Sequence, residues 1–82
     1  MDIEKLRQLL ATDIVTVTFT KKNGDKRIMH CTTISDYLPT ISTYSVPSDS
    51  TVTVWDLDNA AWRSFRYDSI ISIETDYFNY VV

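Results

Sequence analysis

Glycine, cysteine and histidine each occur once in this chain of 82 residues, and proline twice. With Gly24 as the only glycine, no glycine-rich loop can cradle a phosphate. A single cysteine, Cys31, removes any intramolecular disulfide and any zinc site built on several thiolates, which fits a reducing compartment. With only His30 beside it, no metal and no cofactor is expected. Apolar runs are short as well. None approaches a membrane span, and the opening Met1-Asp2-Ile3-Glu4 is acidic where a secretory signal would be basic, so a cytoplasmic protein without membrane contact is expected. Eight Lys or Arg stand against eleven Asp or Glu, a net charge of −3, which excludes a polybasic DNA coat. The length supports one small domain over 1–82, in which folding buries roughly 60–65% of the unfolded surface.

What is present is patterning of two kinds. Ile3, Leu6, Leu9 and Leu10 form a helical stripe with Asp2 placed as N-cap and Glu4 in the first turn, so the spacing predicts a helix at about 3–11. From Asp13 the period becomes two, with Val15, Val17 and Phe19 alternating with Thr16, Thr18 and Thr20. The tract Lys21-Lys22-Asn23-Gly24-Asp25-Lys26 is the clearest turn, since Asn-Gly tolerates positive φ between two strand-like runs. A two-residue turn would pair Phe19 with Ile28 and Val17 with His30. A three-residue loop with Gly24 as a left-handed bulge pairs Val17 with Met29 and Val15 with Cys31. The second is favoured, because it gathers the apolar residues on one face and leaves His30 outside.

Residues 35–50 hold both prolines and many Ser and Thr, and read as a long ordered loop that Tyr37, Leu38, Ile41, Tyr44 and Val46 can pack on the body. Strands are predicted over 51–57, 61–67 and 70–75, with a turn at Asp58-Asn59-Ala60 and a bend at Asp68-Ser69. The tail from Tyr77 to Val82 is aromatic and apolar. The fold class is therefore mainly β: an N-terminal helix followed by a five-stranded Sm-like or SH3-like barrel, with an open α+β sheet as the competing architecture.

Catalysis finds little support, and no enzyme is expected. His30 and Cys31 are neighbours on a strand and point to opposite faces, so they cannot form a nucleophile pair. Cys31 is the type of residue usually found in a core. Asp56 and Asp58 lie two apart, but nothing local pushes their pKa values apart as a general acid and base require. Binding features are stronger. Lys21, Lys22, Lys26 and Arg27 surround the turn with Asp25 as the only local acid, a +3 tip on an acidic molecule. Such a tip suits phosphate or an acidic protein surface, although lysines there also solubilise and guard an edge. On the strand over 61–67, Trp62, Ser64 and Arg66 share one side while Ala61, Arg63, Phe65 and Tyr67 share the other. With Phe65 inward, Trp62 and Arg66 form an outward pair suited to a base or a protein hot spot, and Arg63 can hold the fold through a carboxylate such as Asp56 or Asp68. Trp62 packed under the loop or the aromatic tail is the plainer alternative.

The run from Val17 to Thr32, followed by Val54-Trp55-Asp56-Leu57 and by Trp62-Arg63-Ser64-Phe65-Arg66-Tyr67-Asp68-Ser69-Ile70, resembles a small single-domain phage branch of the WYL-like superfamily of Sm/SH3-like barrels. The Trp-Tyr-Leu tripeptide that names the superfamily is absent, Trp55-Asp56-Leu57 being its nearest local equivalent. The resemblance implies a binding module, with Arg63 and Arg66 at the family's arginine positions, rather than a direct reader of DNA sequence. Its context implies an antitoxin-like accessory protein that binds and restrains a host protein in the host cytoplasm, for example an RNA-cleaving toxin or another defence protein, with RNA in the complex as a further expectation. A stand-alone RNA or single-stranded nucleic-acid binding regulator of transcription or message stability is the alternative. The apolar tail leaves a homodimer open.

Overall fold

The computed structural model describes residues 2–38 and 50–81. In chain order these form α1 (Ile3–Thr12), β1 (Val15–Thr20), β2 (Lys26–Thr32), a 3-10 turn at Ser35–Tyr37, β3 (Thr51–Asp56), β4 (Ala61–Arg66), a second 3-10 turn at Tyr67–Ser69, β5 (Ile70–Thr75) and β6 (Phe78–Val81). Asp2 caps α1 by accepting the Lys5 N–H at 2.9 Å, and Leu6 and Leu10 are fully buried. The helix stops where Asp13 turns extended and donates its N–H to Leu9 O at 2.9 Å. The carbonyl of Leu10, one of those a helix end leaves without an intrahelical partner, accepts the Thr33 N–H and the Thr32 hydroxyl, both at 3.0 Å. These bonds fasten the end of α1 to the end of β2, and they explain why Thr32, a polar residue, is completely buried.

The hairpin takes the bulged register. Val15 pairs with Cys31 and Val17 with Met29, while Gly24 sits at φ +93°. Gly24 N–H donates to Lys21 O at 2.9 Å and Lys21 N–H to Asp25 O at 2.7 Å, closing the three-residue loop. Asn23 adds its own turn bond, its side-chain oxygen accepting the Asp25 N–H at 3.1 Å. Met29 and Cys31 are buried and His30 and Ile28 exposed, as a period of two demands once one face is committed to the core.

All strands lie in one antiparallel sheet of order β4-β3-β2-β1-β5-β6. β1 is held on both sides; where its register against β5 shifts between Thr18 and Phe19, Ile71 is left as an extra residue on β5, a bulge that bends β5. The junction of β2 and β3 is short: Cys31 faces Asp56, Thr32 faces Trp55, and Leu57 N–H donates to His30 O at 2.9 Å. The sheet curls so far at this junction that Phe19 of β1 stacks on Phe65 of β4, centroids 5.0 Å apart and planes 21° from parallel. Leu6 and Leu10 join Val15, Val17, Met29, Cys31, Val52, Val54, Ile70 and Ile73 around this pair.

Two features differ from the sequence reading. Among the described residues there are six strands where five were expected, and the sheet is not closed, since β4 and β6 do not pair. The extra strand is the aromatic tail. It folds back on β5 with Tyr80 opposite Ile73, which places Tyr80 against the core. Of the expected long loop, Ile41, Tyr44 and Val46 lie outside the described residues.

The turn between β3 and β4 holds Ala60 at φ +50°. That conformation costs an L-residue about 1–2 kcal/mol, more than the roughly 0.5–1 kcal/mol of chain entropy that glycine brings. Ala60→Gly is expected to raise stability by about 0.5 kcal/mol, read as a higher urea midpoint with unchanged slope.

Candidate binding cleft

Curling brings the hairpin tip over the end of β4. Between them lies a cleft of about 1040 Å³ lined by Phe19, Thr20, Lys21, Lys22 and Asn23 on one side and by Thr51, Ser64, Phe65, Arg66, Asp68 and Ser69 on the other. The stacked Phe19 and Phe65, both nearly buried, supply its apolar part. Lys21, Lys22 and Arg66 are exposed around it. Arg66 is held by a two-point pair to Asp68, Nε to Oδ1 at 3.1 Å and Nη2 to Oδ2 at 3.0 Å, and the Ser69 hydroxyl fixes its backbone by donating to Arg66 O at 2.6 Å.

The other cations named from sequence take different places. Lys26 is exposed at the start of β2, outside the cleft lining. Arg27 turns away from the tip, and its Nη2 donates to Asp56 Oδ2 at 3.0 Å. Arg63 Nε lies 3.8 Å from the same oxygen. Trp62 packs edge-on against Trp55, centroids 5.4 Å apart at 77°. It shares a strand face with Arg66, but four residues of strand put about 13 Å between the two Cα atoms. The structure thus unites Lys21, Lys22 and Arg66, and it assigns Arg27 and Arg63 to one buried carboxylate.

That carboxylate is 1% exposed. Besides the two arginines, Asp56 Oδ2 accepts from Asn59 Nδ2 at 2.8 Å, and Oδ1 accepts the backbone N–H of Asp58 at 3.0 Å and of Asn59 at 3.2 Å. Burial acts to raise its pKa, but the bonds from Asn59 and Asp58 and the Arg27 charge outweigh it and hold the group below its ordinary value of 3.8. Asp56 therefore joins β2, β3, β4 and the turn after β3. Its role follows from Asp-x-Asp-Asn, a turn-forming run in which the first carboxylate caps the following amides. That local signal is readable in sequence. Its long-range partner Arg27 is not.

Neither Cys31 nor His30 lines this cleft. Burial, with the nearby Asp56 charge, pushes the Cys31 thiol up to about 12, so it stays protonated and inert at neutral pH. His30 faces the other side of the sheet, where its Nδ1 meets the exposed Asp58 at 2.8 Å. Among the described residues, no three His, Cys, Asp or Glu are grouped to hold a metal ion, and no helix is long and apolar enough to cross a membrane.

Asp56→Ala strands Arg27 and opens the turn, and is expected to cost about 3 kcal/mol, the low end for breaking a buried pair because Arg27 keeps a wet side. Because the folded pKa is depressed, the carboxylate contributes fully above 3.8 and progressively less as pH falls through the lower folded value. Urea melts from pH 7 downward should show this acid-side loss in the parent and a flatter profile in Asp56→Asn.

Comparison with known proteins agrees with this architecture. The chain matches the model of the WYL_2 family, described as an Sm-like SH3 β-barrel fold, over residues 3–71. It is also similar to an uncharacterized 11.5 kDa protein of the Gp31-cd intergenic region of Enterobacteria phage T4, with 34% identity over 76 residues, covering 85% of this chain and 74% of that protein. No solved structure matches.

Proposed function

The chain belongs to the WYL_2 family of Sm-like SH3 β-barrels, and from that premise we propose that it is a small phage-type accessory protein that binds and modulates a host protein through the cleft between the hairpin tip and β4. The observation that carries this reading is the meeting of an apolar part, Phe19 and Phe65, with the cations Lys21, Lys22 and Arg66 in one concave surface. An apolar side chain entering such a cleft loses water, while acidic groups beside it meet the rim. The relative in phage T4 supports the phage setting. Binding to a host protein makes no demand for a catalytic group.

RNA is the second reading, favoured by the same three cations, which suit a phosphate backbone. The acidic balance of the whole chain, −3, weighs against it as the principal ligand.

The test is capture of host proteins from a bacterial lysate on immobilised protein, with and without ribonuclease. The parent is expected to retain a defined protein in both conditions. Lys21→Glu with Lys22→Glu should weaken that binding and remove its salt dependence, and Arg66→Ala should weaken it by about 1–3 kcal/mol if it sits at the centre of the interface. Retention abolished by ribonuclease would transfer the site to RNA. Folded variants that bind as tightly as the parent would remove the cleft from consideration.

A further inference from the structure

β6 ends the sheet on the side opposite β4, and among the described residues it pairs only with β5. Natural edge strands are usually protected by a charge, a proline or a bulge. β6, Phe78-Asn79-Tyr80-Val81, has no charged residue and no proline, whereas the opposite edge strand β4 carries Arg63 and Arg66. The surface around β6 is also apolar: Tyr77 is 73% exposed, Val81 70% and Phe78 37%.

We infer that β6 is a self-association strand, and that two copies of this chain join edge to edge through it in an antiparallel, two-fold symmetric pair. The period of two restricts the register. Phe78 and Tyr80 share one face of β6, and their rings already lie parallel, 6.4 Å apart and 4° from coplanar orientation. Residues directly opposite across an antiparallel pair lie on the same face. A register centred on Asn79 sets Phe78 of one copy opposite Tyr80 of the other, Asn79 opposite its own symmetry mate, and Tyr77 opposite Val81. Val81 is then covered beside the partner's turn, where the Tyr77 hydroxyl is held by Asp13, and the aromatic pair on the other face becomes a four-ring ladder. Moving the centre to Tyr80 keeps the faces but sets Asn79 against Val81, a poorer match. An odd shift of one strand against the other would oppose residues of different faces and is excluded.

Charge does not bar a second copy. Each copy carries −3 overall, but the strand itself is uncharged, so repulsion is long-range and is screened by salt. A four-residue strand with its flanks covers well under the roughly 1,200 Å² of a standard stable interface, so the pair is weak, with a Kd on the order of 0.1 mM.

Sedimentation equilibrium of the intact chain across this range, combined with cysteine trapping, tests the inference. The parent should move reversibly from one to two protomers, more readily in high salt. Asn79→Lys, which sets two lysines opposite each other, should remain monomeric. Asn79→Cys places two thiols across a strand pair at a Cα separation of about 4.5–5.5 Å, suitable for a disulfide. It should link at least about tenfold faster than Lys22→Cys, because pairing raises the effective thiol concentration. The buried Cys31 does not compete. A parent that stays monomeric near 1 mM, an Asn79→Lys variant that associates as the parent does, or equal linking at positions 79 and 22 would overturn the inference. Growth beyond two protomers would also overturn it, because that is the signature of β6 adding to β4 in an open head-to-tail chain.

Discussion

In a flat sheet of this strand order, β1 and β4 would lie three strand spacings apart, about 14 Å. Phe19 and Phe65 instead stack at 5.0 Å, and everything of functional interest depends on that closure. It seals the core on one side, and it lays the hairpin tip over the end of β4 on the other. The curl is supported by the bulge in β5, where Ile71 is the extra residue opposite β1, and by the short pairing of β2 with β3, only two residue pairs long, which lets the strands separate beyond it. A longer ladder at that seam would resist the bend, because each added pair draws the two strands back toward one surface.

The break in the ladder would leave a weak hinge if nothing else crossed it. Asp56 crosses it. Its carboxylate accepts from β2 through Arg27, lies within ion-pair distance of Arg63 on β4, and caps the turn after β3. Buried ion pairs are often replaceable by apolar side chains without loss of stability, but they fix geometry where apolar contacts would slide. Here the geometry fixed is the position of β4 relative to the hairpin, and so the width of the cleft. Arg66 is free of this duty. It faces the cleft with Asp68 as an exposed, exchangeable partner, which distinguishes it from Arg27 and Arg63.

Much of this was legible along the chain wherever the determining signal is local. The helix follows from the Ile3, Leu6 and Leu10 stripe and the Asp2 cap, and the hairpin register from Asn23-Gly24 together with the alternation on either side. The inward turn of Phe65 and outward turn of Arg66 follow from period two. What was not legible depends on distance. Arg27 reads as a tip cation because it neighbours Lys26, and only the curl reveals Asp56, 29 residues away, as its partner. Trp62 and Arg66 share a face, yet sharing a face does not make residues neighbours along a strand. The strand β6 was hidden because a four-residue aromatic run at a terminus has too little periodicity to separate a strand from a loose tail. The placement of Lys21, Lys22 and Arg66 around one cleft required the fold itself.

The closure of the sheet is the claim on which the account depends, and it is open to one direct measurement. In solution NMR of the intact chain, nuclear Overhauser contacts between the ring protons of Phe19 and Phe65 should be strong, as centroids 5.0 Å apart require. Their presence beside the ladder contacts of β1 with β2 and of β3 with β4 establishes the curl. A folded chain that shows both ladders and no contact between the two rings would carry a flat, open sheet, and the cleft would not exist.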